Sequence, residues 1–165
     1  MAQRNSAGDS VDLSTTWLGA YEVGHTQHAN RVLHWFCAPV FMAACIGLLS
    51  CVPMPRALVE LSPAFHWGTL FVMASIVYYF IMSTTLAIGA IPFLAATLAA
   101  IAWLEAASAP VFLYSAVALL LAATGQFIGH RLEGGKASLV RDLHYVAIAP
   151  IWVLAGIYRK LNIPY

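Results

Sequence analysis

Long uncharged stretches alternate with short polar breaks along this chain. Val32 to Pro55 carries no formal charge over 24 residues, and Leu61 to Leu104 carries none over 44. A helix rises about 1.5 Å per residue, so roughly 20 apolar residues span the ~30 Å hydrocarbon core of a bilayer. The first stretch suits one crossing, ended by 53-PMPR-56, where closely spaced prolines break a helix. The second is long enough for two, and the pattern predicts the break near Ile88–Pro92, where IGAIP supplies a Gly and a Pro. The segment 105-EAASAP-110 is the next polar break, and Val111 to His130 is a further apolar span. RLEGGKASLVRD, 131–142, reads as a loop or surface segment. Leu143 to Tyr158 holds 16 uncharged residues around Pro150, which fits a short crossing, a re-entrant segment or an interfacial helix.

The predicted fold is therefore all-α. It is an integral membrane helical bundle of four transmembrane crossings, with an N-terminal amphipathic segment and a C-terminal short or re-entrant helix. Residues 1–15 read as a polar N-terminal tail and 16–165 as one membrane-embedded domain. The polar opening, MAQRNSAGDS, lacks the short apolar core of a signal peptide.

Composition sharpens this picture. Hydrophobic residues make up 61% of the 165 and charged residues 9%, where about 25% charged is usual in soluble domains. A chain this small cannot hide so much apolar surface from water. A soluble globular enzyme, a disordered chain and a nucleic-acid binder are excluded. The net charge of +1 offers no polyanion partner. With four crossings, Arg4, Arg31, Arg131, Lys136, Arg141, Arg159 and Lys160 share one side and Arg56 stands alone on the other. The positive-inside rule then makes both termini cytoplasmic. A bacterial inner membrane fits the Ala-rich chain, or the endoplasmic reticulum if the source is eukaryotic. Cys37, Cys45 and Cys51 lie in one apolar stretch with no CxxC pair, and read as small hydrophobes.

Ionisable residues inside a membrane domain point to function by default. The predicted topology puts His25, His28, His34, His130 and His144 at one interface and only His66, beside Trp67, at the other. Asn30 and His34 are four apart and share a helix face, as do Gln126 and His130; Glu133 follows His130 by three. His25 and His34 are nine apart, about 180° around a straight helix, so they meet at one ion only if the chain bends near Gln27–Asn30. Gly129 beside His130 lets another group approach closely. Three imidazoles with a carboxylate and two amides suit non-haem Fe(II) or Zn(II). His66 reads as an interfacial residue and His144 as structural. Trp35 and Trp152 read as interfacial anchors, Tyr78 and Tyr79 as bundle packing, and Ser83, Thr84 and Thr85 as interhelical hydrogen-bonding residues.

The stretch 21-YEVGHTQHANRVLHWFCAP-39 resembles the N-terminal signature of the small membrane 2-hydroxy-fatty-acid dioxygenases, a family recognised through a fungal enzyme of fatty-acid alpha-oxidation. Tyr21, His25, Asn30, His34 and Pro39 keep the spacing of that signature. Gln126, Phe127, Gly129, His130, Glu133, Leu139, Ala149 and Pro150 resemble the second signature. In this chain Glu133 follows His130 one residue sooner, and 134-GGKAS-138 lacks the family's proline.

The resemblance implies an Fe(II)-dependent oxygenase that uses O2 to shorten a 2-hydroxy fatty acid by one carbon. Carried over residue by residue, His25, His34 and His130 are the implied iron ligands. Asn30 and Glu133 are the implied catalytic residues, with Gln126 and Tyr21 supporting the site or contacting substrate. Arg31 or Arg131 pairs the substrate carboxylate in this reading. It leaves room for a homo-oligomer. The competing readings are a di-iron hydroxylase or desaturase, a haem protein with His34 and His130 as axial ligands, and a non-catalytic scaffold or transporter.

Overall fold

The computed structural model describes residues 28–60, 62, 64–132, 146 and 148–164. Among them it is all-helical. The elements are α1 (His28–Ser50), a single turn α2 (Arg56–Val59), α3 (Trp67–Met82), α4 (Thr84–Ala106), α5 (Val111–Leu132) and α6 (Ile148–Lys160). Tyr21, His25, Glu133 and His144 lie outside the described residues, as do the polar tail and most of the 131–142 segment.

Three of these helices, α1, α4 and α5, are long and apolar enough to cross a membrane. Helix α3 is apolar but has 16 residues, about 24 Å at the helical rise, short of a full hydrocarbon core. The large apolar side chains that face outward support lipid as the solvent. Phe36 is 73% exposed, Trp103 69% and Leu120 68%, a pattern that water would penalise along three whole helices.

Charges and prolines end the first helix as expected. Helix α1 stops at Ser50, and Pro55 stands just before α2, where its missing N–H costs nothing. The EAASAP break also holds: α4 ends at Ala106, and Ser108 turns the chain with φ of 54° before α5 begins.

The break between α3 and α4 is not at Ile88–Pro92. It falls at Ser83, whose backbone is extended and whose Oγ accepts a hydrogen bond from the Leu86 N–H. A capped N-terminus satisfies donors that a helix start leaves open. Gly89 and Pro92 instead lie inside α4, because membrane helices tolerate both where neighbours re-satisfy the backbone. Ser83 therefore caps a helix rather than bridging two. His66 is likewise structural. Its Nδ1 accepts from the Thr69 N–H at 3.2 Å, and its own N–H donates to Thr69 Oγ1 at 3.0 Å, a reciprocal cap at the start of α3.

Helix α1 is the centre of the bundle. It packs most extensively on α5, and also on α3, α6 and α4. The α1–α5 pair is antiparallel and built on small residues: Gly47 meets Ser115, Cys37 meets Gly125, and Asn30 meets Gly129. Without a hydrophobic force between helices in lipid, such close backbone approach supplies the association. A Cβ on Gly47 would collide with Ser115 Oγ. Gly47→Val should therefore destabilise the bundle by about 1–3 kcal/mol, measured as a lower unfolding midpoint in detergent.

Helix α6 lies along α1 in the opposite sense. Val146, just before it, borders Cys45, Leu48 and Leu49, whereas Gly156 and Lys160 near its end border Trp35. Pro150 sits in its first turn, where proline is tolerated. Trp152 is 2% exposed, among the most buried large side chains of the bundle. It is a core residue and not an interfacial anchor, because Ile148, Trp152 and Ala155 line one face of α6. Tyr79 is buried too, and its hydroxyl donates to Met42 Sδ at 3.6 Å.

Candidate functional site

From His28 onward the chain is continuous helix, so any bend toward His25 lies before it. Asn30 and His34 are one turn apart in α1 and both face inward. Gln126 and His130 repeat this arrangement in the last turns of α5. The antiparallel register of the two helices brings the start of α1 against the end of α5. The two amide–imidazole pairs thus converge on one point of the interface.

The His34 and His130 rings meet edge to face, with centroids 5.0 Å apart and planes at 71°. His34 is 1% exposed and His130 6%. Asn30 is fully buried and Gln126 nearly so. The Asn30 carboxamide oxygen occupies the space where a Cβ on Gly129 would stand, and Leu33 Cδ1 lies 3.6 Å from that point. The glycine that precedes His130 therefore lets α1 settle directly over the imidazole pair. A side chain there would push the two helices apart.

Four polar side chains buried at a helix–helix contact in an apolar protein need hydrogen-bond partners to offset their desolvation, and polar groups at such a place mark function by default. Among the described residues no group of three or more His, Cys, Asp or Glu gathers here or elsewhere. Two imidazoles and two carboxamides form a cluster without formal carboxylate or ammonium charge, unlike an ion-pair network. Imidazole is a good ligand for iron and zinc. Two imidazoles on one ion, each at about 2.0–2.1 Å, bring their ring centres roughly 5 Å apart. The amides one turn away are suited to orient those rings.

The other sequence-predicted site residues fall differently. Tyr21, His25 and Glu133 are outside the described residues. Arg31 lies on the α6 side of α1, with its guanidinium carbon 5.9 Å from the Trp152 ring centre. Arg131 is exposed, with its guanidinium carbon 4.9 Å from the Phe127 ring centre. His28 is exposed on the first turn of α1. The sequence reading missed the buried place of Trp152. The apolar positions 148, 152 and 155, at helical spacing, were the signal that could have found it.

The family model for 2-hydroxy-palmitic acid dioxygenase Mpo1-like proteins matches residues 13–161. No curated protein and no solved structure gives a significant match. The match takes in both amide–imidazole pairs and every helix that positions them. With nearly the whole chain covered, it belongs to the Mpo1-like family of 2-hydroxy-palmitic acid dioxygenases.

Proposed function

We propose that this protein is an Fe(II)-dependent membrane dioxygenase that shortens 2-hydroxy fatty acids by one carbon. The observation that carries this reading is the buried His34–His130 pair, at 5.0 Å between ring centroids, flanked by Asn30 and Gln126. In this reading His34, His130 and His25 hold the iron, which supplies the spin-allowed reaction with O2 that organic side chains lack. Asn30 and Gln126 orient the two imidazoles from one turn away. The surrounding apolar side chains keep bulk water from the pair. Glu133 and Tyr21 act on the substrate head, and Arg31 or Arg131 pairs its carboxylate.

The stoichiometry closes without an external reductant. RCH(OH)COOH and O2 give RCOOH, CO2 and H2O. The C1–C2 bond breaks, the substrate loses four electrons, and O2 accepts all four. A membrane bundle suits this chemistry because the acyl tail stays at bilayer depth while the 2-hydroxy acid head reaches the end of α1 and α5. We further infer that α3 is the fourth crossing, shortened to 16 helical residues, and that the end of the bundle carrying His34 and His130 is cytoplasmic.

A haem reading fits less well. Axial imidazoles lie on opposite faces of a flat macrocycle, and an edge contact at 5.0 Å leaves no room for one between them. The test is O2 uptake by detergent-solubilised, Fe(II)-loaded protein. 2-Hydroxypalmitate should stimulate uptake with one CO2 released per O2, and palmitate should not. Equal rates with both acids, or uptake without CO2, would overturn the reading.

A further inference from the structure

The imidazole pair lies at one end of the bundle, and α1 carries the flank of His34 toward the other. At 3.6 residues per turn, Ala38, Phe41, Cys45 and Leu48 all return to within about 40° of the direction of His34. This flank is apolar from Ala38 to Leu48. At its far end lies a cavity of about 480 Å³, lined by Cys45, Leu48, Leu49 and Val52, by Phe71 of α3 and by Val146. Every side chain in that lining is apolar. An apolar cavity of about 150 Å³ already takes up a six-carbon ring, so this one has room for several methylenes. A second apolar cavity, of about 170 Å³, meets α1 at Pro39, about 140° around the helix from His34. It does not lie beneath the pair.

Depth matches as well as direction. Cys45 and Leu48 follow His34 by eleven and fourteen residues, about 17 and 21 Å along the helix axis. Carbon–carbon bonds of ~1.52 Å at ~111° advance an extended chain by about 1.25 Å each, which sets C2 and the last carbon of a 2-hydroxypalmitoyl chain about 18 Å apart. In a 12-carbon acid the same span is about 13 Å and stops short of Cys45.

We propose that this cavity receives the methyl end of the substrate's acyl tail, and that Cys45, Leu48 and Phe71 set the chain length the protein accepts. The inference rests on the oxygenase reading, which puts the 2-hydroxy acid head at His34 and His130. The flank's origin at that pair is what assigns the cavity to the substrate tail rather than to a membrane lipid. Burial of the last methylenes then discriminates between chains, at roughly fourfold in binding for each one.

Two measurements on the whole protein in neutral detergent test this. In one, 2-hydroxypalmitate carrying a terminal diazirine is irradiated with Fe(II)-reconstituted protein in the absence of air. Label should fall on residues 45–52 or on Phe71, and excess 2-hydroxypalmitate should remove it while excess phosphatidylcholine should not. Label spread over lipid-facing side chains such as Phe36 and Leu120 would overturn the proposal. So would displacement by phosphatidylcholine, which would make the cavity a lipid site. The other measurement is the ratio of kcat/KM for the 16-carbon and 12-carbon 2-hydroxy acids, in which partition into detergent cancels between variants. Cys45→Phe should lower that ratio at least tenfold, from roughly fourfold for each displaced methylene. Phe71→Ala should raise the 20-carbon acid relative to the 16-carbon one. Ile88→Phe, which places the same ring on the exposed side of α4, should leave the ratio unchanged, and the unfolding midpoint of each variant checks the bundle. An unchanged ratio in folded Cys45→Phe would overturn the cavity's role and leave the oxygenase reading standing. Label in the cavity without turnover of any 2-hydroxy acid would do the reverse.

Discussion

Alanine at either His34 or His130 should lower O2-dependent shortening of 2-hydroxypalmitate by well over 100-fold, and the double variant should be no worse than either single one. Loss of a residue that only orients a metal ligand commonly costs 10–100-fold, so loss of a ligand should exceed that. In the proposed site the two rings act as one unit and removing either leaves an incomplete donor set, so the two losses should be non-additive. Their centroids are 5.0 Å apart across the α1–α5 contact, and the other histidine of α1, His28, is exposed on its first turn. A purely structural pair predicts another outcome: losses that track stability, and a double variant worse than both. Activity measured beside the unfolding midpoint of each variant separates the two accounts. A single alanine variant that keeps a tenth of wild-type activity would contradict the first.

The second large effect is expected at a residue that carries no functional group. Gly129→Val should reduce activity by about 100-fold, the scale of loss that a misplacement of about 1 Å causes at a reacting centre. The reason is steric. The Asn30 carboxamide fills the space that any Cβ on Gly129 needs, so a valine must drive α1 and α5 apart at the imidazole pair. The helices themselves should persist, with a stability loss of about 1–3 kcal/mol. A compensating change tests the mechanism. In Gly129→Ala with Asn30→Ala, the unfolding midpoint should recover toward wild type while activity stays low, because space has been restored and the amide has not. Full recovery of activity in that double variant would show that Asn30 only fills space.

The sequence and the structure agree where single-residue chemistry decides the outcome. Arg56, and the Glu105–Pro110 segment, mark helix ends because a charge is costly in the hydrocarbon whatever the tertiary context. The position of the α3–α4 break was misread because Gly89 and Pro92 look like breakers on soluble-protein rules. In the bundle they sit inside α4, and Gly89 receives the Tyr158 hydroxyl end. The informative signal was 83-STT-85, a run of helix-capping residues. Trp152 was misread for a similar reason. Tryptophan marks an interface only when its helix face is open, and the face of α6 that carries Trp152 is covered.

The site was legible in halves. The four-residue spacing of Asn30 with His34 and of Gln126 with His130 shows that each amide shares a face with its imidazole. That the two faces meet is a property of helix pairing. The pairing rests on Gly47, Gly125 and Gly129 with their partners Ser115, Cys37 and Asn30. Spacing within one helix carries no record of which small residues oppose each other across an interface. For that reason the topology read from the charges, which sets both pairs at one interface, and the resemblance to a family, rather than periodicity, join the two ends of the chain.

The central claim is that His34 and His130 hold one iron between them. Its most direct test is metal content of untagged protein, purified in detergent without air and reconstituted with Fe(II), for wild type, His34→Ala and His130→Ala. The account predicts about one iron per chain in wild type and almost none in either variant, with helical content unchanged. Equal iron in all three proteins, or none in wild type after reconstitution, would contradict it.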